Sequence, residues 1–557
     1  MSRRPTVTAG RPAGLAGRRL LRAAALIAAI TAVARVAGFG RTVVFGRTVG
    51  GGCVGAVYQT ANTIPNIIFD IVAGGTLAAL VVPLLAPAFA GRGRQVAAQT
   101  LSALLTWTLL VMTAVTVALA ALAGVLTHVL IGSGQCVGAH ALATRMLVVF
   151  APQVIFYGLG IVLAGALQAA ERFSWPALAP LLSSATVIAA YLIYGALAGP
   201  GRSAEQLTTT DELVLSLGTT LGVIVLAGCL VPAAARLGLR VRPTLRFPEG
   251  TASQVRRAAV AGGATLGAQQ IAAGLVIWLA NDDTTTGTVV VVTLAQTVFL
   301  LPWAVLAVPV ATSAFPRLSG LWDAGDRAAF TALTDRTSRV VIAAAALGTA
   351  VFVAAAQPIA TVLLDPTTTP AHSVFAPAIV AFTAGLLGWS LVALLSRALY
   401  AAYRVGTAAL AQVAGWAVVV AADLLFWWLA PTSYRAVVLA LGNTLGVTVA
   451  AALLIGLAGR RGVLAGTGTL VAHTARAAVA AAAGGVAGWS LGRLAQGPGV
   501  VTAIAFGLAA GALGMAVAAG VLALIDRSLL DRGLLSREFI DRPRHDLAQL
   551  RRGGRPQ

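Results

Sequence analysis

Apolar stretches of about 20 residues, divided by short polar segments, recur along the whole chain, and a helix of that length crosses roughly 30 Å of hydrocarbon. Fourteen can be marked, at about 19–40, 54–76, 99–126, 141–166, 177–199, 213–235, 258–280, 287–311, 338–364, 374–396, 406–430, 435–458, 474–494 and 500–525. Backbone groups cannot stay unpaired in lipid, so the pattern predicts an all-α polytopic membrane protein. The second stretch is interrupted: Tyr58-Gln-Thr-Ala-Asn-Thr-Ile-Pro65-Asn66 sets amides, hydroxyls and a proline inside an apolar span. Part of it returns downstream. Gln59-Thr60 stands six residues before Pro65, and Gln296-Thr297 stands six before Pro302, 237 positions on. A second echo pairs Ala166-Leu-Gln-Ala-Ala-Glu-Arg172 with Ala398-Leu-Tyr-Ala-Ala-Tyr-Arg404, 232 positions on. Two echoes at nearly one offset predict two parallel six-helix lobes, helices 1–6 and 7–12, with two helices appended.

The boundaries follow: an Arg-rich N-terminus at 1–18, a first lobe at 19–235, a basic linker at 236–257 and a second lobe at 258–458. The last two helices occupy 459–525, and an Arg-rich tail occupies 526–557. With 58% hydrophobic and 10% charged residues, the composition excludes an ordinary water-soluble domain. The formal net charge of +21 could suggest nucleic acid, but its distribution argues against that. All 39 basic residues are arginine, and most fall on one side of a fourteen-helix topology. That is the positive-inside bias, and it predicts both termini in the cytoplasm. Arg18-Arg19 and the run after them imitate a signal peptide, but thirteen further spans favour a retained helix. Three cysteines cannot make a disulfide framework. Cys53 and Cys136 both fall near the expected outer face, where one bridge could form, and Cys229 reads as a small core residue.

Charges inside apolar spans are costly and normally face a cavity or a partner. Arg35 and Arg41 fall in the outer half of the first span, Asp70 in the second, Arg145 in the fourth and Asp423 in the eleventh. The functional alternative is a cationic lining for an anionic cargo, with Asp70 as counter-ion or proton site. The structural alternative is interface anchoring and internal pairing. In the second span, Asn62 and Asn66 are four apart and share a face, with Gln59 close to it. Pro65 removes a backbone hydrogen bond and frees a carbonyl. Gly74 and Gly75 loosen the same helix further on, making Pro65, Gly74 and Gly75 hinge candidates. Gln269-Gln270 and Gln296 give the second lobe similar polarity. The five histidines are scattered without metal-ligand spacing, and no Gly-rich Lys motif for nucleotide phosphates occurs. No metal, no cofactor and no catalytic residue is expected.

Several stretches resemble the MurJ (MviN) family, lipid II flippases of the MOP superfamily. They are Ala34-Arg-Val-Ala-Gly-Phe-Gly-Arg41, Ala61-Asn-Thr-Ile-Pro-Asn66, Val82-Pro83 and Arg172-Phe-Ser-Trp-Pro-Ala-Leu-Ala-Pro180. Downstream, Pro309, Phe315-Pro-Arg317 and Arg397-Ala-Leu-Tyr400 join them. The resemblance implies fourteen helices, two lobes around a cationic cavity, and a lipid-tail groove beside the last two helices. It implies export of undecaprenyl-linked peptidoglycan precursor across the bacterial plasma membrane without an enzymatic step. Arg35 and Arg41 match the family's cavity arginines, and Asn66 its Pro-Asn pair. The chain departs from the best-known members at Gly55, Phe69, Asp70, Gly74 and Gln296-Thr297, where they carry charged residues. On this reading Arg35 and Arg41 take the diphosphate, while Gln59, Asn62, Asn66, Asp70 and Gln296 line the path. The expected partners are the lipid-linked precursor, membrane lipids and cell-wall synthesis proteins, with no nucleic acid and a monomeric chain. Any energy input would come from the membrane potential or an ion. Two alternatives stand: another polyprenyl-linked glycan or a drug as cargo, or a non-transporting scaffold.

Overall fold

The computed structural model describes residues 13–71, 81, 84–85, 93–131, 136–198, 202–247, 251–282, 287–365, 372–494 and 499–529, with backbone alone for 13–28 and 251–264. Gly74, Gly75, most of the N-terminal segment and nearly all of the tail lie outside the described residues. Among those described, helix dominates and no strand occurs. The chain forms two compact units, Met1–Gln270 and Ile271–Gln557. Unit 1 contains α1 (Ala13–Thr48), α2 (Cys53–Ile71), α3 (Arg94–Ala121), α4 (Ala123–Leu130), α5 (Ala139–Phe150), α6 (Gln153–Ala169), α7 (Ser174–Leu197), α8 (Thr209–Gly228) and α9 (Leu230–Ala235). Helix α10 (Thr251–Asn281) carries the chain into unit 2. There follow α11 (Thr288–Pro302), a π-turn (Trp303–Ala307), α12 (Val308–Asp323), α13 (Arg327–Ala354), α14 (Ala356–Leu363) and α15 (His372–Thr383). The unit closes with α16 (Leu386–Ala401), α17 (Val405–Leu429), α18 (Arg435–Arg460), α19 (Thr467–Gly492) and α20 (Val500–Ile525).

Twelve spans among the described residues are long and apolar enough to cross a membrane. The two other expected spans, 54–76 and 258–280, fall on α2 and α10. The first expected span, 19–40, falls within α1, which stays helical through Gly38 and Gly40 and runs on to Thr48. Arg35 and Arg41 lie in the second half of that helix. The eighth span likewise extends to Asp323, past the expected 311.

The backbone repeats in detail. Leu122, between α3 and α4, has φ −92° and ψ 2°, and Ala355, between α13 and α14, has φ −91° and ψ 4°. Glu171 (φ 58°) and Tyr403 (φ 57°), 232 apart, are the positive-φ non-glycine residues among those described. The same bonds surround each. Arg172 N–H reaches Leu167 O and Arg404 N–H reaches Leu399 O, both at 2.8 Å. Each closes a Schellman turn that satisfies an orphan carbonyl at a helix end. The echo seen in the sequence thus marks one helix cap used twice. The other echo diverges: Pro65 lies within continuous α-helix, whereas a π-turn starts directly after Pro302.

Unit 1 is organised by buried polar and aromatic groups as well as by aliphatic packing. Tyr58 is 1% exposed, and its hydroxyl pairs with Tyr191 at 2.7 Å and with Thr219 at 2.8 Å. Phe45 and Phe150 stack around the same ring at 5.4 and 5.7 Å between centroids. Cys53 and Cys136 are joined in a disulfide that ties the start of α2 to the segment before α5. Cys229 is half-buried at the end of α8 and not in the core. In unit 2, α19 and α20 pack on α13 through small residues. A Cβ added at Gly484 would lie 2.3 Å from Gly514 O, so the helix backbones touch.

Candidate functional site

Helix α2 presents Gln59, Asn62, Asn66 and Asp70 at successive spacings of three to four residues, which places them along one face. Gln59, Asn62 and Asn66 are half-buried and Asp70 is exposed. The opposite face holds Tyr58 and Ala61, packed inside unit 1. Asn62 Oδ1 is buried with no hydrogen-bond partner among the described residues. A buried acceptor left unpaired costs about 1–3 kcal/mol, so it marks a place where a ligand donor would be welcome. Asn66 differs: Tyr157 of α6 donates its hydroxyl to Asn66 Oδ1 at 2.9 Å, and the Tyr157 ring stacks on Phe69 at 4.4 Å. Asp70 is hydrogen-bonded by the buried Gln270 of α10, so its partner is an amide and not an arginine.

The two arginines of α1 do not act from one face. Six residues turn a helix by about 240°, leaving the two side chains roughly 120° apart. Arg41 falls on the stripe of the buried Ala34 and Phe45, and Phe45 packs on the rings of Tyr58 and Tyr191. Arg35 and Arg41 are both exposed, and Arg35 is the neighbour of Val36, which is 71% exposed. The structure thus joins Asn66 to Tyr157 and sets the two arginines on different faces of α1. Gln296 is exposed on α11 in unit 2. Pro65 is buried, and Ala61 loses the donor that a residue other than proline would supply.

The remaining intramembrane charges separate into two kinds. Arg145 donates from Nε and Nη2 to Glu212 at 2.8–3.0 Å, a forked pair between α5 and α8. That role is structural. Asp423 of α17 is fully buried, and neither carboxylate oxygen has a hydrogen-bond partner among the described residues. It fills the space left open by Gly442, whose added Cβ would collide with it. His128 and His140 bring their rings to 5.1 Å, and no group of three metal-ligating side chains occurs among the described residues. Sequence reasoning missed Tyr157, Tyr58 and Tyr191. The available signal was rarity, since the chain has only 7 tyrosines and an aliphatic span needs no phenol.

Comparison with known proteins agrees with this geometry. The family described as "Lipid II flippase MurJ" matches residues 45–510. A curated relative from Synechocystis sp., "Probable lipid II flippase MurJ", is 28% identical over 242 residues, covering 42% of this chain and 44% of that protein. The chain thus aligns with less than half the length of that relative. Among solved structures, "Lipid II flippase MurJ, inward closed conformation" matches with a TM-score of 0.70 at 16% identity, over 91% of this chain and 100% of that one. An inward-facing multidrug resistance MATE family transporter of the MOP superfamily matches with a TM-score of 0.65 at 14% identity, over 81% and 99%. At these identities the structural matches show the fold.

Proposed function

The chain belongs to the lipid II flippase MurJ family, and from that premise we propose that it carries undecaprenyl-linked peptidoglycan precursor, lipid II, from the cytoplasmic to the outer leaflet by alternating access. In this reading it is a multi-pass protein of the bacterial plasma membrane, with both termini in the cytoplasm and no bond made or broken. The family match over residues 45–510 carries the proposal. Arg41 takes the diphosphate, because it lies on the α1 stripe of Ala34 and Phe45, beside the rings of Tyr58 and Tyr191. Gln59, Asn62 and Asn66 hydrogen-bond the sugar or peptide, with Tyr157 holding Asn66 in place. Helix α2 bends about Pro65, with Gly74 and Gly75 as further hinge positions.

Coupling to the membrane potential or to an ion would act on Asp423, since an unpaired acid within a span holds a proton or attracts a cation. A MATE-type drug exchanger shares the fold, but the arginines of α1 oppose a cationic cargo. In cells depleted of their own flippase, this chain should restore growth and outer-leaflet lipid II, and Arg41→Ala should abolish the rescue. Undiminished rescue by a combined Arg41→Ala, Asn66→Ala variant would overturn the assignment of these residues, and growth restored without outer-leaflet lipid II would replace the transport reading with a scaffold.

A further inference from the structure

A basic hollow in unit 1 lies outside the transport path described above. After α9 the chain does not continue as helix; residues 239–247 run as an extended strap beside α3. The strap is pinned through its backbone. The N–H of Arg242 donates to Ser102 Oγ at 3.0 Å, and that of Thr244 to Thr106 Oγ1 at 3.1 Å. The Trp107 indole N–H donates to Leu245 O at 3.1 Å. Leu239 and Phe247 anchor it further on the apolar cluster around Leu101 and Leu104. Folding therefore fixes where the strap's arginines stand.

Between the strap and the first turns of α3 lies a cavity of about 590 Å³, within the range of ligand-sized pockets. Arg94, Gln95 and Gln99 line it from α3, and Arg240 and Arg242 from the strap. The Leu237 carbonyl accepts from Arg94 Nη2 at 2.9 Å and orients its guanidinium. The cap of α3, Gly93, supplies no side-chain hydrogen bond, so the first amides of that helix add positive potential. Among the described residues, no carboxylate lines the cavity. Three guanidinium groups and two amides without an acid form a site for a doubly substituted or terminal phosphate. Trp107, Val241 and Leu245 are exposed beside it, giving the hollow an apolar flank suited to the lipid boundary. The positive-inside bias accounts for arginines on this side of the chain. It does not account for a strap hydrogen-bonded into a concave, acid-free arrangement.

We propose that this hollow binds the phosphate of an anionic phospholipid headgroup. The experiment uses full-length protein in phosphatidylcholine nanodiscs with and without phosphatidylglycerol. Phosphatidylglycerol retained after delipidation is read by native mass spectrometry. Arg240→Gln with Arg242→Gln should lower retention by roughly fivefold per arginine, while the double lysine variant keeps most of it. All three strap bonds join the strap's backbone to α3 side chains, so they survive these substitutions, and Arg242→Gln alone gives a fivefold reading if the pair fails to fold. Retention equal to wild type in the glutamine pair would overturn the proposal. So would an equal loss in Arg460→Gln with Arg461→Gln, exposed arginines elsewhere that remove the same charge. Stabilisation by inorganic phosphate in pure phosphatidylcholine discs, matching that by phosphatidylglycerol, would assign the hollow to a soluble anion instead.

Discussion

Replacing Gly488 by alanine should loosen the last two helices from the body of unit 2. A Cβ there would stand 2.4 Å from the Cβ of Ala354 on α13, 2.5 Å from the carbonyl oxygen of Ala510 and 3.1 Å from the amide nitrogen of Gly514 on α20. Two of these three are backbone atoms, which cannot swing aside. Ordinary contact begins near 3.4 Å, so α19 must retreat by about 1 Å from two neighbours at once. Taking on the order of 40 atom pairs along the seam at ~0.15 kcal/mol, a gap of that size removes roughly a third to a half of 6 kcal/mol, or about 2–3 kcal/mol. Better helix propensity returns up to about 1 kcal/mol, leaving a net loss of about 1–2 kcal/mol. Gly520, on α20, is the control, because nothing lies within 4 Å of its added Cβ. Thermal unfolding of the full chain in detergent should place Gly488→Ala below wild type and Gly520→Ala at or above it. Equal midpoints for the two variants would show that the seam is not close-packed and would refute the reasoning.

Tyr157→Phe removes the donor to Asn66 while keeping the stack on Phe69. It should cost about 1 kcal/mol of stability and lower lipid II export several-fold, and Asn66→Ala added to it should change export little further. Burial would raise the Asp526 carboxyl, but bonds from Ser528, His473 and Arg476 hold it below its ordinary 3.8. Its contribution is therefore complete above pH 3.8 and lost as pH falls through the lower folded value. The unfolding midpoint should fall with pH in that acid range, and Asp526→Asn should remove this dependence. Cys53→Ser opens a link between residues 83 apart, worth at most about 4–5 kcal/mol by chain entropy. Heat scans with and without reductant should differ in wild type and coincide in the variant, with export retained because the proposed hinge lies beyond the tie.

The spans were legible because lipid leaves an apolar stretch of about 20 residues few other fates. The repeat was legible too. Arg172 and Arg404 are placed by matching caps, and a cap depends on a few adjacent residues that short echoes preserve. The site was less legible, since its key contacts join distant positions. Gln270 meets Asp70 and Glu212 meets Arg145 through packing that no local pattern encodes. The end of α1 was misplaced because glycine is a weak helix former in water, whereas unpaired backbone is far more costly in a membrane. The same cost keeps Gly38 and Gly40 helical and lets α1 run on to Thr48.

The two prolines of the first echo show where the halves stop being equivalent. Before Pro65, α2 is held by the Cys53–Cys136 bond and by Tyr58 inside a cage of Phe45, Phe150, Tyr191 and Thr219. Beyond Pro65, among the described residues, Tyr157 meets Asn66 and Phe69, and Gln270 meets Asp70. Bending concentrates where the helix lacks a backbone bond, and Pro65 supplies such a joint. Pro302 meets the same problem differently: the π-turn Trp303–Ala307 absorbs the lost bond, and Trp303 donates its indole N–H to Trp389 O at 3.3 Å. One lobe thus keeps its proline joint open to movement and the other closes it with an extra residue in the turn. Motion is expected to centre on α2, which is also the helix bearing the orphaned Asn62 oxygen. Cargo recognition and bending would then share one element, so a ligand donor reaching Asn62 would bias the bend directly. Spin labels placed on either side of Pro65 should change separation when lipid II is added, while a matching pair across Pro302 should not.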